Sequence, residues 1–192
     1  MSIAMRAALF LAAVPILCAA APAGAEEAAW EALRRGGWVV FLRHALAPGT
    51  GDPPSFRLED CTTQRNLSAE GRTQARGIGE AFRRRGIPVE KVFSSRFCRC
   101  QETAALAFGA FEPHPALDSF FAAPARENEQ TEALRRLVAE NPPGRGNLVL
   151  VTHQVNITAF TGVSPAAGEM VLAKLSAAGS IEGLLRLNPA GP

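Results

Sequence analysis

The sequence predicts an α/β domain, a three-layer sandwich whose mostly parallel central sheet is flanked by helices. Two short apolar runs, Trp38 to Leu42 and Leu148 to Val151, have strand length and no polar alternation, as strands buried on both faces do. Amphipathic stretches of helical period separate the candidate strands, so strand and helix alternate along the chain. Arg43-His44 follows the first run and Thr152-His153 the second, where open parallel sheets bind ligands. No internal repeat is present.

Taken in order, Ala28 to Arg35 reads as a short helix stopped by Gly36-Gly37. Trp38-Val39-Val40-Phe41-Leu42 is the first strand, and a loop rich in Pro and Gly runs from Ala47 to about Phe56. Ser68 is an N-cap for a helix that carries Ala75, Ile78 and Phe82 on one face and ends near Gly86. Lys91 to Ser94 is a short strand around Val92-Phe93, followed by helical sequence from about Phe97 to Phe108. The stretch around Leu117 carries no clear pattern. Asn128 to Glu140 is amphipathic through Leu134, Leu137 and Val138, and Pro142-Pro143-Gly144 ends it. After the Leu148–Val151 strand come a short helix from about Val155 and strands near Met170–Leu175 and Ile181–Leu187.

Composition narrows the function classes. The 192 residues suit one domain, and 47% hydrophobic residues against 20% charged exclude global disorder. A formal charge of +2, from 20 Lys+Arg and 18 Asp+Glu, is too small to make nucleic acid the main partner. Anion chemistry must come from placed arginines, and only Lys91 and Lys174 among the basic residues are lysines. Arginine grips oxyanions in a fixed, forked geometry.

The N-terminus reads as a secretory signal. Met1 to Arg6 is a short basic region, Ala7 to Ala21 is apolar, and Ala23-Gly24-Ala25 offers small residues for cleavage after Ala25. The apolar run falls short of the roughly 20 residues that span a bilayer, and no later segment qualifies. Residues 26–192 then form the exported domain, expected in the periplasm or outside the cell. In an oxidising compartment a pair among Cys61, Cys98 and Cys100 is bridged. A Cys98–Cys100 bridge would close a strained ring, which leaves Cys61 with Cys98 or with Cys100.

Three strand ends converge chemically. Arg43-His44 follows the first strand, Thr152-His153 follows the Leu148–Val151 strand, and Ser94-Ser95 with Arg99 follows Val92-Phe93. Neutral imidazole attacks phosphorus, and guanidinium groups hold phosphoryl oxygens and offset transition-state charge. The pattern is that of phosphoryl transfer without a metal, since three histidines lack metal-ligand spacing. His114, between Pro113 and Pro115, is read as a structural loop residue, and Arg83-Arg84-Arg85 as the solvated end of a helix.

Phe41-Leu42-Arg43-His44, Arg65-Asn66-Leu67-Ser68 with Gly71 and Ala75, Ser94-Ser95 with Arg99 and Thr103-Ala104, and Val151-Thr152-His153 occur in one order across most of the chain. Together they resemble the histidine phosphatase superfamily, in the branch of phosphoglycerate mutases and small phosphohistidine phosphatases, and within it an exported subgroup. The resemblance implies that His44 is the nucleophile that becomes phosphohistidine. It implies phosphoryl binding by Arg43, Arg99 and His153, a further phosphate contact at Arg65, and a carboxylate acid, assigned by position to Asp118 with Glu127 as the alternative. The chain departs from the family pattern at Ala45 and Gln154, where glycines are usual. The resulting expectation is an exported phosphoric monoester hydrolase acting on a small phosphorylated substrate without metal or other cofactor. A catalytically silent phosphate-binding protein and a phosphomutase are the alternatives. The paired histidines argue against the first and the signal sequence against the second.

Overall fold

The two apolar runs become neighbouring central strands of one sheet. In the computed structural model, which describes residues 23–189, β1 (Val39–Arg43) pairs in parallel with β4 (Asn147–Thr152), Val40 opposite Val149 and Arg43 opposite Thr152. β2 (Val89–Ser94) lies parallel on the other side of β4, and the two-residue β3 (Glu112–Pro113) lies parallel to β2 at the edge. β5 (Met170–Leu175) runs antiparallel beside β1, and β6 (Ile181–Leu187) returns antiparallel to β5. The order is β3-β2-β4-β1-β5-β6, so β5 alone opposes the common direction and the sheet is mostly parallel, as expected.

Helices cover both faces, which explains why β1 and β4 carry no polar alternation. Val40 and Leu42 point to one side, with Val149 and Val151, and pack on Trp30, Leu33, Ile78 and Phe82. These belong to α1 (Ala23–Arg35) and α2 (Ala69–Arg84), and Ala104 and Ala107 of α3 (Cys98–Phe108) complete this layer. Val39 and Phe41 point to the opposite side, with Leu148 and Leu150. There they meet Leu134, Leu137 and Val138 of α4 (Glu127–Glu140) and Ile157 and Phe160 of α5 (Gln154–Thr161). The period-2 alternation of strands therefore feeds two cores rather than one. Truncating a side chain such as Phe41, fully buried against Phe160 at 4.8 Å between ring centroids, costs about 3–5 kcal/mol.

The elements depart from the sequence reading at a few ends. α1 starts five residues earlier than Ala28, because Ala25, Glu26 and Glu27 are good helix formers that carry the helix back past Gly24. The patternless stretch near Leu117 is a 3-10 turn, Pro115–Leu117, begun when His114 Nδ1 accepts from the Ala116 amide. Thus His114 has the structural role expected of it. The expected leader, residues 1–25, lies outside the described residues except for its last three, which form the first turn of α1. No helix among the described residues is long and apolar enough to cross a membrane.

α2 is seated on the segment that leaves β1. Ser68 caps it, its Oγ accepting from the Gly71 amide at 3.0 Å, while the Ser68 amide donates to the Leu46 carbonyl at 3.1 Å. A Cβ on Gly71 would stand 2.1 Å from that same carbonyl oxygen, so only glycine permits this approach.

Candidate active site

The sheet order brings three strand ends side by side. β2, β4 and β1 are consecutive in the sheet, and the ladder runs one residue beyond it, with His44 N–H donating to Thr152 O and Ser95 N–H to Val151 O. His44, His153 and the start of α3 with Arg99 thus border one cavity of about 390 Å³. Arg43 and Arg65 line it too. Five of the site residues expected from the sequence are therefore brought together.

His44 is 3% exposed, and its ring is oriented by its own backbone neighbour. Nδ1 lies 2.8 Å from the Ala45 carbonyl oxygen, which only accepts, so Nδ1 carries the proton and Nε2 keeps the lone pair. Burial, reinforced by the Arg99 charge, pushes its pKa from 6.5 down to about 3. The imidazole is consequently neutral and nucleophilic at neutral pH. Ala45, the first departure from the family pattern, is fully buried and donates its amide to Thr103 Oγ1 at 3.0 Å.

The arginines differ in what holds them. Arg99, 3% exposed in its side chain, pairs with Asp52 Oδ1 at 2.9 Å, approaches His153 Nδ1 at 3.4 Å and stacks over Phe97 at 4.7 Å. Arg43 donates to the Pro165 carbonyl at 2.9 Å. Arg65 donates to the carbonyls of Gly51 and Ala47 and so organises the loop after β1 as well as lending charge. Burial, then repulsion from Arg99, lowers the pKa of both Arg43 and Arg65, although guanidinium stays protonated near neutrality. The Nε atoms of Arg43 and Arg99 are buried and have no hydrogen-bond partner among the described residues. An unsatisfied buried donor costs about 1–3 kcal/mol, which an oxyanion accepting from it would recover.

Asp52 is a residue the sequence reading missed. Its Oδ1 accepts from Arg99 and, at 3.0 Å, from the Arg65 amide, and it faces the same cavity. Three guanidinium groups, one carboxylate and neutral histidines give the cavity a net charge of about +2, which complements a phosphoryl dianion. Nothing in the local sequence marks Asp52, because its partners lie 13 and 47 residues away.

His153 sits edge-on to His44, 5.5 Å between ring centroids. Its Nδ1 faces the Arg99 donor, which leaves Nε2 to donate to Ser95 Oγ at 2.9 Å, and Ser95 Oγ donates in turn to Asp118 Oδ1 at 3.1 Å. Burial, then Arg99, holds the His153 pKa well below its usual value. Asp118 is clamped by the Arg96 amide at 2.8 Å and by the Arg96 guanidinium at 2.6 Å. Asp118 touches the site through Ser95 and His153 and does not line the cavity, and exposed Glu127 at the start of α4 does not line it either. Gln154, the second departure from the family pattern, lines the cavity with its amide held by Thr158 and Ser164.

The disulfide joins Cys61 to Cys98 and so fastens the loop before Arg65 to the first turn of α3 beside Arg99. Cys100 is free and fully buried, and burial raises its thiol pKa to about 12. Among the described residues no three His, Cys, Asp or Glu side chains gather so that they could hold a metal ion.

Residues 39–121 match the profile of the histidine phosphatase superfamily (branch 1), a span that contains His44, Arg65 and Arg99. Over that span the chain is similar to the histidine phosphatase superfamily. Solved phosphatase structures share its fold. The protein histidine phosphatase SixA, complexed with tungstate, superposes with a TM-score of 0.54 at 15% identity, covering 80% of this chain and 97% of that one. A mutant phosphoserine phosphatase from Entamoeba histolytica, in complex with phosphoserine, gives 0.54 at 11% identity over 77% and 96% of the two chains. The mycobacterial glucosyl-3-phosphoglycerate phosphatase gives 0.52 at 18% over 80% and 99%. No curated protein matches the sequence.

Proposed function

We propose that this chain is an exported phosphohydrolase that removes the phosphoryl group from a small monoester through a phosphohistidine on His44. The observation that carries the reading is the neutral His44 with its Nε2 lone pair free, beside three arginines of which two have buried, unsatisfied Nε donors. Nε2 attacks phosphorus, the bond from phosphorus to the ester oxygen breaks, and that oxygen departs with the bonding pair and takes a proton from solvent water. Water then attacks the phosphohistidine, the N–P bond breaks, and inorganic phosphate and neutral His44 are released. Arg43 and Arg99 hold the phosphoryl oxygens through both steps, and Arg65 adds charge and fixes the loop. His153, tied to Arg99, orients that guanidinium and borders the phosphoryl group. The named activities of the structural neighbours, on phosphohistidine protein, phosphoserine and a sugar phosphoglycerate, agree with hydrolysis of monoesters and phosphoramidates rather than with one substrate. Export is supported by the leader-like residues 1–25 and by the Cys61–Cys98 bridge, which suits an oxidising compartment.

Purified mature chain should release phosphate from p-nitrophenyl phosphate, should keep that activity in EDTA, and should lose it in His44→Ala. Tight phosphate binding without turnover would instead make the chain a silent binding protein.

A further inference from the structure

Resting on that reading, we infer that the leaving group is a flat aromatic one, so that the site takes aryl phosphate monoesters bearing no second phosphate. The cavity has two parts. Its floor holds the buried His44, His153 and Arg99 with Phe97 packed against them, and its outer walls hold the more exposed Phe56 and Phe121, with Pro53, Pro54 and Val155. The outer walls carry no lysine or arginine, and their acidic neighbour Asp52 is already paired with Arg99. A second phosphate on the leaving group would meet no cation there.

Aromatic rings run without a break from the floor toward the mouth. Phe56 and Phe97 lie 5.4 Å apart with a 33° tilt, and Phe97 in turn stands edge-on to His153 at 5.0 Å, so this wall leads straight to the phosphoryl floor. Phe121 is 50% exposed, the most exposed large apolar side chain among the described residues, and its ring edge lies beside Gly51 at the mouth. Leaving a phenyl face in water is unfavourable unless something apolar covers it, and an aryl group bound over the floor would do so. A volume of about 390 Å³ exceeds the needs of a phosphoryl group and is at the small end of ligand pockets, which run about 300–1,000 Å³. It suits one ring system beside the phosphoryl group.

Phosphonates separate binding from leaving-group reactivity, because their C–P bond is not cleaved. Competitive inhibition of p-nitrophenyl phosphate turnover by phenylphosphonate and by methylphosphonate should show the phenyl compound about tenfold tighter or more. The Phe121→Ala and Phe56→Leu double variant should narrow that ratio to about threefold or less. Should the fold fail to tolerate Phe56→Leu, exposed Phe121→Ala alone should still narrow the ratio by about half or more. Equal inhibition by the two compounds in the unaltered chain overturns the aromatic inference while leaving phosphoryl binding intact. Inhibition by neither overturns the inference together with the phosphatase reading beneath it.

Discussion

Acidifying the solution from pH 7 to pH 5 should destabilise this fold by about 2 kcal/mol through His44 alone. The folded-state pKa of His44 is pushed down to about 3, whereas an unfolded histidine titrates at 6.5. Between these values the unfolded chain binds a proton that the folded chain does not, so stability falls as pH falls through that window. From pH 7 to 5 the linkage covers about 1.4 pK units, and each unit is about 1.4 kcal/mol, which gives the figure above. The measurement is urea unfolding of the unaltered chain and of His44→Gln at both pH values, at fixed ionic strength and without phosphate, whose binding would itself stabilise the native state. His153 is depressed in the same direction and contributes to both chains, so the difference between them isolates His44. The unaltered chain should lose about 2 kcal/mol more than His44→Gln. Equal losses would show that His44 is not held neutral by burial, and the argument for its nucleophilicity would fail with it.

Other perturbations reach different parts of the site. Removing the disulfide with Cys61→Ser and Cys98→Ser frees a 37-residue separation, and loop-closure entropy puts the destabilisation at about 4 kcal/mol, readable as a shift in urea midpoint. Asp52→Asn removes the carboxylate that competes with phosphate for Arg99, so calorimetry should find inorganic phosphate bound roughly tenfold tighter; weaker binding would mean that Asp52 serves chiefly to aim Arg99. Asp118→Asn should slow phenyl and p-nitrophenyl phosphate by similar factors, because Asp118 reaches the site only through Ser95 and His153. A far larger loss on phenyl phosphate would make Asp118 the proton donor that the sequence suggested.

How much of this was legible in the sequence depended on whether the signal was local. Val39 to Leu42 and Leu148 to Val151 announced themselves because strands covered on both faces need apolar residues at every position. His44 and His153 were legible because chain direction alone puts the residue after a parallel strand at the ligand-binding edge. β3 was not, being two residues long and containing a proline. The choice between Cys98 and Cys100 turns on where α3 begins. Residues two apart on a helix face about 200° from each other, so Cys98 meets Cys61 while Cys100 enters the core. Asp52 and the rings of Phe56 and Phe121 meet the site only through loop paths that long-range bonds from Arg65 and Arg99 determine.

The most direct measurement is to trap the intermediate on His44. Brief incubation with ³²P-labelled phosphate monoester and an alkaline quench, since phosphoramidates are lost in acid, should leave one phosphoryl group on the chain, mapped to His44 by peptide sequencing. His44→Ala should carry no label and show no turnover. His153→Ala should label on the same residue, more slowly by roughly a hundredfold, as for misplacing one charge-stabilising donor, the Arg99 guanidinium that His153 orients. Phosphate release by the unaltered chain with no label at His44 would contradict the covalent mechanism and leave direct attack by water in its place.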